Sequence, residues 1–334
     1  MKAAVFDRFG DPAEVLQIRD VPLPEVGPGK VRVRMTASPV NPSDLLMIRG
    51  KYARIPTLPA TVGFEGVGVV DTVGRGPLAR MLGLFPGRRV AVLNERGGNW
   101  QEQVVIPARQ AIPVPADLPD EQVASFFVNP ATALVMPRYV LKVPRGAWLL
   151  QTAAGSALGR MVIRLGRHYG FRTINVVRRR EQIKELESLG GDAVICTADE
   201  SIEERVAAIT RDTGALFAID AVGGATGLSA LRALAPGGRM LVYGILAGDP
   251  VPLDNAVLVM GQKAVQGFLL SEWAHQQSVL TMLLLFRRIG RLMRAGVLTT
   301  EVEAAFPLER IREAVRQAEA PGRKGKILLR LDGA

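Results

Sequence analysis

The strongest constraint on the fold is an alternation of apolar runs and helical segments between residues 148 and 270. Each run is rich in Val, Ile or Leu, and Gly closes several of the helices between them. Unbroken apolar runs are typical of strands that are buried on both faces. The alternation therefore predicts a parallel sheet covered by helices. The six runs are WLLQTA (148–153), TINVV (173–177), AVICTA (193–198), LFAIDAVG, RMLVYG and VQGFLL (265–270).

The first 118 residues follow a different pattern, with short apolar runs separated by Pro and Gly. Strands at this regular spacing are typical of a mostly antiparallel, barrel-like domain. In VRVRM, we expect Val31, Val33 and Met35 to share one buried face. A chain of 334 residues suits two domains. The expected parts are a catalytic barrel-like domain at 1–118, a nucleotide-binding domain at 119–267 and a segment at 268–334 that returns to the first domain.

Six strands joined by helices match the doubly wound Rossmann fold, and the turn after its first strand resembles a phosphate-binding loop. The pattern GxGxxG is present in a modified form, Ala154-x-Ser156-x-x-Gly159. Small residues are needed there because the backbone approaches a pyrophosphate closely and the helix begins against the strand. The alternative is a small-residue helix start that serves packing alone. The candidate contacts are Ala154, Gly155, Ser156, Ala157, Leu158 and Gly159.

The second strand of this sheet ends in three arginines, Arg178, Arg179 and Arg180. Enzymes selective for NAD place an acidic residue here to bind the ribose 2′-hydroxyl, whereas an arginine pairs with a 2′-phosphate. Cations at a helix start are electrostatically unfavourable unless an anion binds there. The residues therefore favour NADPH as the cofactor. The alternative is a solvated basic helix start.

Composition excludes several other classes of site. The chain has one cysteine, Cys196, and two histidines, His168 and His275, so we expect no disulfide and no metal site. The net charge of +10 fits a solvated basic surface or a phosphate-bearing ligand, and no nucleic-acid-binding motif accompanies it. We find no signal peptide and no run long enough to span a membrane, and we expect a cytoplasmic protein.

Several short motifs together give a resemblance to a known family. They are Asn41-Pro42-Ser43-Asp44, Gly50-Lys51-Tyr52, Gly63-Phe64-Glu65-Gly66, Asn129-Pro130-Ala131-Thr132-Ala133, Ile174-Asn175-Val176-Val177-Arg178, Val222-Gly223-Gly224, Tyr243-Gly244 and Phe268-Leu269-Leu270-Ser271-Glu272-Trp273. With them, the chain resembles the zinc-independent branch of the medium-chain dehydrogenase/reductase superfamily. The resemblance implies a GroES-like catalytic domain beside the Rossmann sheet. Within the branch, the sequence is most similar to 2-enoyl thioester reductases and next to quinone oxidoreductases.

The zinc-dependent relatives carry a cysteine ligand near Asn41 and a histidine at the position of Phe64. An alcohol dehydrogenase needs the metal to acidify the hydroxyl, whereas hydride adds directly to a carbonyl-activated alkene. The resemblance thus implies reduction of a 2-enoyl thioester. The alternatives are a quinone or unsaturated ketone as the acceptor, and a non-catalytic NADPH-binding protein. An acyl carrier protein as partner and a homodimer joined through the sixth strand also follow from the resemblance.

The resemblance also assigns candidate roles to individual residues. It makes Tyr52 the catalytic donor to the developing enolate; the alternative is a tyrosine packed in a loop. The resemblance implies that Asn41 forms a hydrogen bond with the substrate or the cofactor; the alternative is an Asn-Pro pair that only starts a turn. Thr132 is placed at the nicotinamide, unless it caps a helix, and Trp273 at the substrate. Lys326 is placed at the cofactor or at an acyl carrier phosphate, unless it is a surface lysine. The remaining cofactor candidates are Tyr243, Gly244, Phe268, Leu269 and Leu270.

Overall fold

The computed structural model describes residues 1–332 and divides them into two compact units. One unit contains residues 1–128, 283–295 and 299–332, and the other contains 129–282 and 296–298. The first unit extends beyond the expected boundary at 118, and the second extends beyond the one at 267, because of contacts between distant parts of the sequence. The side chain of Gln122 bonds to the backbone of Thr300 in the first unit. The ring of Trp273 packs against Tyr139 in the second.

The first unit is built mainly from antiparallel strands. Its strand β3 (Lys30–Pro39) pairs with three neighbours in antiparallel register, and Val31, Val33 and Met35 on it are fully buried, as the alternation predicted. The elements up to residue 123 are β1 (Lys2–Phe6), α1 (Pro12–Val15), β2 (Gln17–Asp20), β3 (Lys30–Pro39), α2 (Pro42–Ile48), β4 (Ala60–Thr61), β5 (Glu65–Val73), α3 (Leu78–Met81), β6 (Arg89–Leu93), β7 (Gln103–Pro107), β8 (Ala111–Pro113) and α4 (Asp120–Val123).

The second unit contains a six-stranded parallel sheet in the order β11-β10-β9-β12-β13-β14. This order is that of the dinucleotide-binding Rossmann fold, which confirms the predicted fold class. The elements are α5 (Val128–Val135), β9 (Trp148–Gln151), α6 (Ala157–Tyr169), β10 (Arg172–Val177), α7 (Glu181–Ser188), β11 (Ala193–Cys196), α8 (Ile202–Thr210), β12 (Ala215–Asp220), α9 (Gly224–Arg232), β13 (Leu234–Val242), α10 (Asn255–Gly261), β14 (Ala264–Gly267) and α11 (Leu270–His275).

The C-terminal segment completes the sheet of the first unit. Its elements are α12 (Val279–Arg294), β15 (Val302–Pro307), α13 (Ile311–Glu319) and β16 (Lys326–Arg330). Strand β16 pairs antiparallel with β3 and parallel with β15, so the sheet runs β15-β16-β3-β5-β6-β8, with β7 also paired to β3. Among the helices of residues 1–332, none has the length and apolar character needed to cross a membrane.

Candidate functional site

A buried polar cluster in the first unit is centred on Asn41, the residue before helix α2. Asn41 is 1% exposed, and both ends of its amide are bonded within the protein. Its Oδ1 accepts a hydrogen bond from Nζ of Lys326, and its Nδ2 donates to Oε1 of Glu65 at 3.1 Å. The side chain of Asn41 therefore joins the start of α2 to β16 and β5.

The carboxylate of Glu65 is the anionic centre of this cluster. Its Oε2 accepts hydrogen bonds from the backbone N–H groups of Phe127 at 3.0 Å and Val128 at 2.8 Å. Burial raises the pKa of Glu65, and the nearby Lys326 ammonium opposes that rise. Four groups thus bond or attract a carboxylate that is 1% exposed, which offsets the cost of burying it.

Asp44 is a second buried carboxyl group at the same place. Its two oxygens accept the backbone N–H groups of Asn41 at 2.8 Å and Phe64 at 3.2 Å. Burial raises the pKa of Asp44 to about 7, against the effect of the hydrogen bond from Asn41. Asp44 therefore ties the first turn of α2 to the segment that leads into β5.

Lys326 supplies the cation of the cluster and is not a surface residue. It is 3% exposed, so the surface alternative is wrong. Burial lowers its pKa to about 8, opposed chiefly by Glu65 and also by Asp44. Its Nζ bonds to Asn41, and no structural observation places it at a cofactor.

Tyr52 lies in the loop after α2 and is half-buried. Its ring packs against the ring of Phe64, with centroids 5.0 Å apart. Burial raises the pKa of Tyr52, and the charge of Asp44 raises it further, while Arg54 lowers it. A phenol with a raised pKa stays protonated at neutral pH and is able to donate a hydrogen bond.

The same region does not offer a zinc site. Phe64 has no donor atom, the amide of Asn41 is bonded at both ends, and the Lys326 ammonium already lies beside Glu65. Zinc needs three or four N, S or O ligands, and a resident ammonium repels a metal cation. Within residues 1–332, no three His, Cys, Asp or Glu side chains form a group that would hold a metal ion.

The candidate phosphate loop of the second unit leads into helix α6. Ser156 caps that helix, because its Oγ accepts the backbone N–H of Gly159 at 3.1 Å. A Cβ on Gly159 would lie 2.5 Å from the carbonyl oxygen of Ala154, so only glycine fits there without movement. Ala153 has φ of 49°, in the left-handed region that alanine rarely adopts. Such strain is typical of ligand-binding turns.

The carboxyl ends of β12 and β13 form the next part of this edge of the sheet. Oδ1 of the buried Asp220 accepts the hydroxyl of Thr152 at 2.6 Å. A Cβ on Gly244 would lie 2.6 Å from the carbonyl oxygen of Ala221, so glycine allows the two strand ends to approach. The hydroxyl of Tyr243 is buried and has no hydrogen-bond partner within residues 1–332. Buried hydroxyl groups are normally bonded, so this atom lacks the partner that such a group usually has.

The three arginines after β10 all have exposed side chains but differ in their partners. Arg180 pairs with both carboxylate oxygens of Asp199, with its Nε at 2.6 Å. Within residues 1–332, neither Arg178 nor Arg179 forms an ion pair. These two guanidinium groups are therefore available to an anionic ligand.

The other candidate contacts lie on neighbouring elements of the second unit. Thr132 is 7% exposed within α5 and is not the residue before that helix. Phe268 donates its backbone N–H to Val242 at 2.8 Å, at the end of β13. Leu269 is 36% exposed, and Leu270 begins α11. The ring of Trp273 makes an edge contact with Tyr139, with centroids 5.8 Å apart.

Sequence reasoning missed three side chains that organise these sites. Asp44 follows Asn41 at the spacing of a helix capping box, a signal that was available in the sequence. Glu65 was noted only as part of a motif. Arg160, directly after Gly159, is buried and bonds to the phosphate loop, and nothing in its sequence neighbourhood indicates this.

Family comparisons match both units of the chain. Residues 27–116 match the family described as alcohol dehydrogenase GroES-like domain, and residues 157–288 match the family described as zinc-binding dehydrogenase. The mitochondrial enoyl-[acyl-carrier-protein] reductase of Rattus norvegicus is 35% identical over 326 residues, covering 96% of this chain and 86% of the relative. The human protein of the same name is 35% identical over 334 residues, covering 98% and 88%.

Solved structures give the same classification. A Bacillus thuringiensis structure named for NADPH:quinone reductase is 33% identical, with a TM-score of 0.92 and 98% of each chain covered. A mycobacterial protein solved with NADPH is 27% identical, with a TM-score of 0.90, covering 99% of this chain and all of the other. Because close relatives align over nearly its whole length, the chain belongs to the medium-chain dehydrogenase/reductase superfamily of oxidoreductases.

Proposed function

We propose that the protein is a zinc-independent, NADPH-dependent reductase that acts on the double bond of a 2-enoyl thioester. The observation that carries the proposal is Tyr52, a half-buried phenol that its environment keeps protonated. Bound NADPH supplies the hydride that adds to the β-carbon. Negative charge then develops on the thioester oxygen, and the Tyr52 hydroxyl stabilises it by donating a hydrogen bond or its proton. The α-carbon finally takes up a proton from solvent, and where Tyr52 has given its own proton to the thioester oxygen, the proton released from that oxygen restores the phenol.

The polar cluster supports this role by fixing the helix from which the Tyr52 loop leaves. Asp44 and Asn41 hold the first turn of α2, and Asp44 also bonds to the backbone of Phe64, whose ring packs on Tyr52. A donor that is held in place loses little entropy when the charge develops. The ammonium of Lys326 offsets the carboxylate charge without a metal, which supports zinc independence.

The second unit supports NADPH as the cofactor. Helix α6 begins at a capped, tightly packed turn, and its N-terminus favours an anion. Arg178 and Arg179 suit a 2′-phosphate, and the buried hydroxyl of Tyr243 needs a bonding partner. A relative of known structure carries NADPH.

A quinone is the second candidate acceptor. The Bacillus thuringiensis structure named for NADPH:quinone reductase is 33% identical and superimposes over nearly the whole chain. Hydride transfer to a quinone also uses a hydrogen-bond donor at the developing oxyanion, so Tyr52 serves either substrate. The enoyl thioester stands first because the reductases with 35% identity are named for it.

The test is NADPH oxidation with crotonyl-CoA, trans-2-decenoyl-CoA, 1,4-benzoquinone and 9,10-phenanthrenequinone. We expect the enoyl thioesters to be reduced and Tyr52→Phe to lower their kcat about a hundredfold, the usual contribution of a positioned acid. Because the pKa of Tyr52 is raised above its ordinary value of 10, the wild-type rate should not fall through loss of this proton below pH 10.

Tyr169→Phe is the matched control, since that tyrosine lies at the far end of α6 and its ring contact with Arg138 survives the change. Enoyl turnover that is insensitive to Tyr52→Phe would contradict the proton donor. Turnover of quinones alone would move the second candidate to first place. A rate that falls after dialysis against EDTA and returns with zinc would refute zinc independence.

We also propose a homodimer that forms through the open edge of β14. Val259 and Met260 on the adjacent helix α10 are 75% and 87% exposed, which is unusual for large apolar side chains.

An acyl carrier protein is the proposed source of the thioester, because the 35% identical relatives are named for it and the chain carries a net charge of +10. We expect a higher kcat/KM for crotonate linked to the carrier protein than for crotonate linked to CoA. Equal values would contradict this proposal.

A further inference from the structure

Arg160, in the first turn of α6, is a buried cation to which the proposed reaction gives no role. Its side chain is 4% exposed. Its Nε donates to the carbonyl oxygen of Gly155 at 3.2 Å, and its Nη2 lies 2.7 Å from Oε1 of Glu185 on α7. One guanidinium group therefore bonds to the phosphate loop and to the neighbouring helix at the same time. A planar fork of donors allows this double contact.

A second side chain of α7 also lies on the phosphate loop. A Cβ built on Gly155 would be 2.0 Å from Nε2 of Gln182, so the amide rests directly on that glycine. Gln182 and Glu185 are three positions apart and therefore share one face of α7. That face is docked on the loop by two independent contacts.

Helix α7 is also the element that follows the 2′-phosphate candidates. It begins at Glu181, immediately after Arg178, Arg179 and Arg180. A helix moves as a rigid element, so docking its first two turns fixes the position of the residues before it. The contacts at Gly155 thus set the spacing between the phosphate loop and the free guanidinium groups.

We propose that Arg160 and Glu185 are positioning residues that fix this spacing, and that the fixed spacing makes the chain prefer NADPH to NADH. The inference depends on the proposed cofactor. NADPH carries two anionic groups, the pyrophosphate and the 2′-phosphate, on one ribose. Both sets of protein donors bond at once only if their separation matches the ligand, and the second contact then costs little further entropy.

Electrostatics alone makes the opposite prediction. Glu185 is an anion close to the proposed phosphate sites, so its removal by Glu185→Gln would strengthen the binding of a phosphorylated cofactor. If the carboxylate acts by positioning, the same change weakens NADPH binding. The sign of the change therefore separates the two explanations.

The experiment measures dissociation constants of NADPH, NADH and 2′-AMP for the full-length wild type, Glu185→Gln and Arg160→Lys, by nucleotide fluorescence and displacement. We expect Glu185→Gln to weaken NADPH about tenfold, within the usual range of coupling between sites. NADH and 2′-AMP should change less than about twofold, because neither spans both donor sets. Arg160→Lys keeps the charge but not the double contact, so it should weaken NADPH binding as Glu185→Gln does.

Glu187→Gln is the matched control, because this glutamate lies two positions along the same helix and is exposed. The dissociation constants of Glu187→Gln for the three nucleotides should equal those of the wild type. Tighter NADPH binding by Glu185→Gln, no change, or equal weakening of NADPH, NADH and 2′-AMP would each overturn the inference. A wild type that does not bind NADPH would instead overturn the proposed cofactor. If Arg160→Lys does not fold, Glu185→Gln alone decides.

Discussion

The three consecutive arginines at positions 178–180 are not equivalent in the folded chain. Arg180 is paired with Asp199, which follows β11, and this pair braces the start of α7. An ion pair with such an exposed arginine is weak, yet it must be broken before the guanidinium group binds another anion. Arg178 and Arg179 carry no such cost.

This difference predicts unequal effects on cofactor choice. Arg178→Ala should lower the ratio of kcat/KM for NADPH over NADH by about tenfold or more, the loss of one charge-assisted hydrogen bond. Arg180→Ala should lower it by less than about threefold, because Asp199 already engages that side chain. Steady-state kinetics with both cofactors measure the two ratios. Equal losses, or an unchanged ratio in Arg178→Ala, would show that the assignment is wrong.

At the level of residues, sequence patterns indicated a candidate phosphate loop and an arginine cluster but not the bonding partners of their side chains. Ser156, Gly159 and Arg178 follow from local rules on helix starts and strand ends. The pairing of Arg180 with Asp199, or of Lys326 with Asn41, depends on which strands become neighbours in the sheet. Residue spacing along the chain carries no such information, so these contacts had to come from the structure.

Helix α6 packs so closely on the loop after β9 that its first turn has no room for a side chain at Gly159. A Cβ there would lie 2.5 Å from the oxygen of Ala154 and 2.6 Å from its Cα. Backbone atoms cannot move aside as a flexible side chain does. The helix, the loop and the strand therefore shift together when this position is filled.

Gly159→Ala should lower the free energy of unfolding by about 1–3 kcal/mol, the usual cost of overpacking, and weaken NADPH binding as the loop moves. Thermal denaturation and nucleotide fluorescence measure the two effects. Gly27→Ala is the control, since a Cβ at Gly27 meets no atom within 4 Å and its backbone is not in the left-handed region. A Gly159→Ala protein with wild-type stability and affinity would contradict this account of the loop.

At the level of elements, the apolar runs and the helices between them predicted all six parallel strands, although the edge strand β14 is largely exposed. Between residues 270 and 294 the chain forms two helices, α11 and α12, rather than one. Nothing in the spacing of apolar residues marks that break, since both pieces keep a helical pattern. The short strands β4 and β8 have no signal in the sequence, because two or three residues are too few for a period.

The proposed homodimer interface consists of the open edge of β14 and the exposed side chains of α10, and a substitution there tests it. Val259→Lys should convert a dimer into a monomer at micromolar concentration, because a charge in an apolar interface is costly to bury. Leu216→Lys is the control, since Leu216 is also exposed, at 49%, but lies on β12. Sedimentation velocity measures the mass. A monomeric wild type, or a Val259→Lys protein that stays dimeric, would contradict this interface.

For the whole chain, the two-unit plan and the return of the C-terminal segment followed from the order of strands and helices. The unit boundaries did not, because they depend on contacts such as Gln122 with Thr300, which join distant parts of the sequence. Boundaries set by tertiary bonds are not visible in composition. Where the sequence pattern changed smoothly, near residues 119 and 268, the structure places the division later.

The ammonium of Lys326 has a consequence for the biosynthesis of the protein. Asp44 and Glu65 leave the ribosome long before Lys326, which is on the last strand. Until that strand arrives, burying the two carboxylates would leave anions without their cation, at a cost that disfavours a closed state. The nascent N-terminal part therefore has an electrostatic reason to stay open, and its final closure waits until β16 has been synthesised.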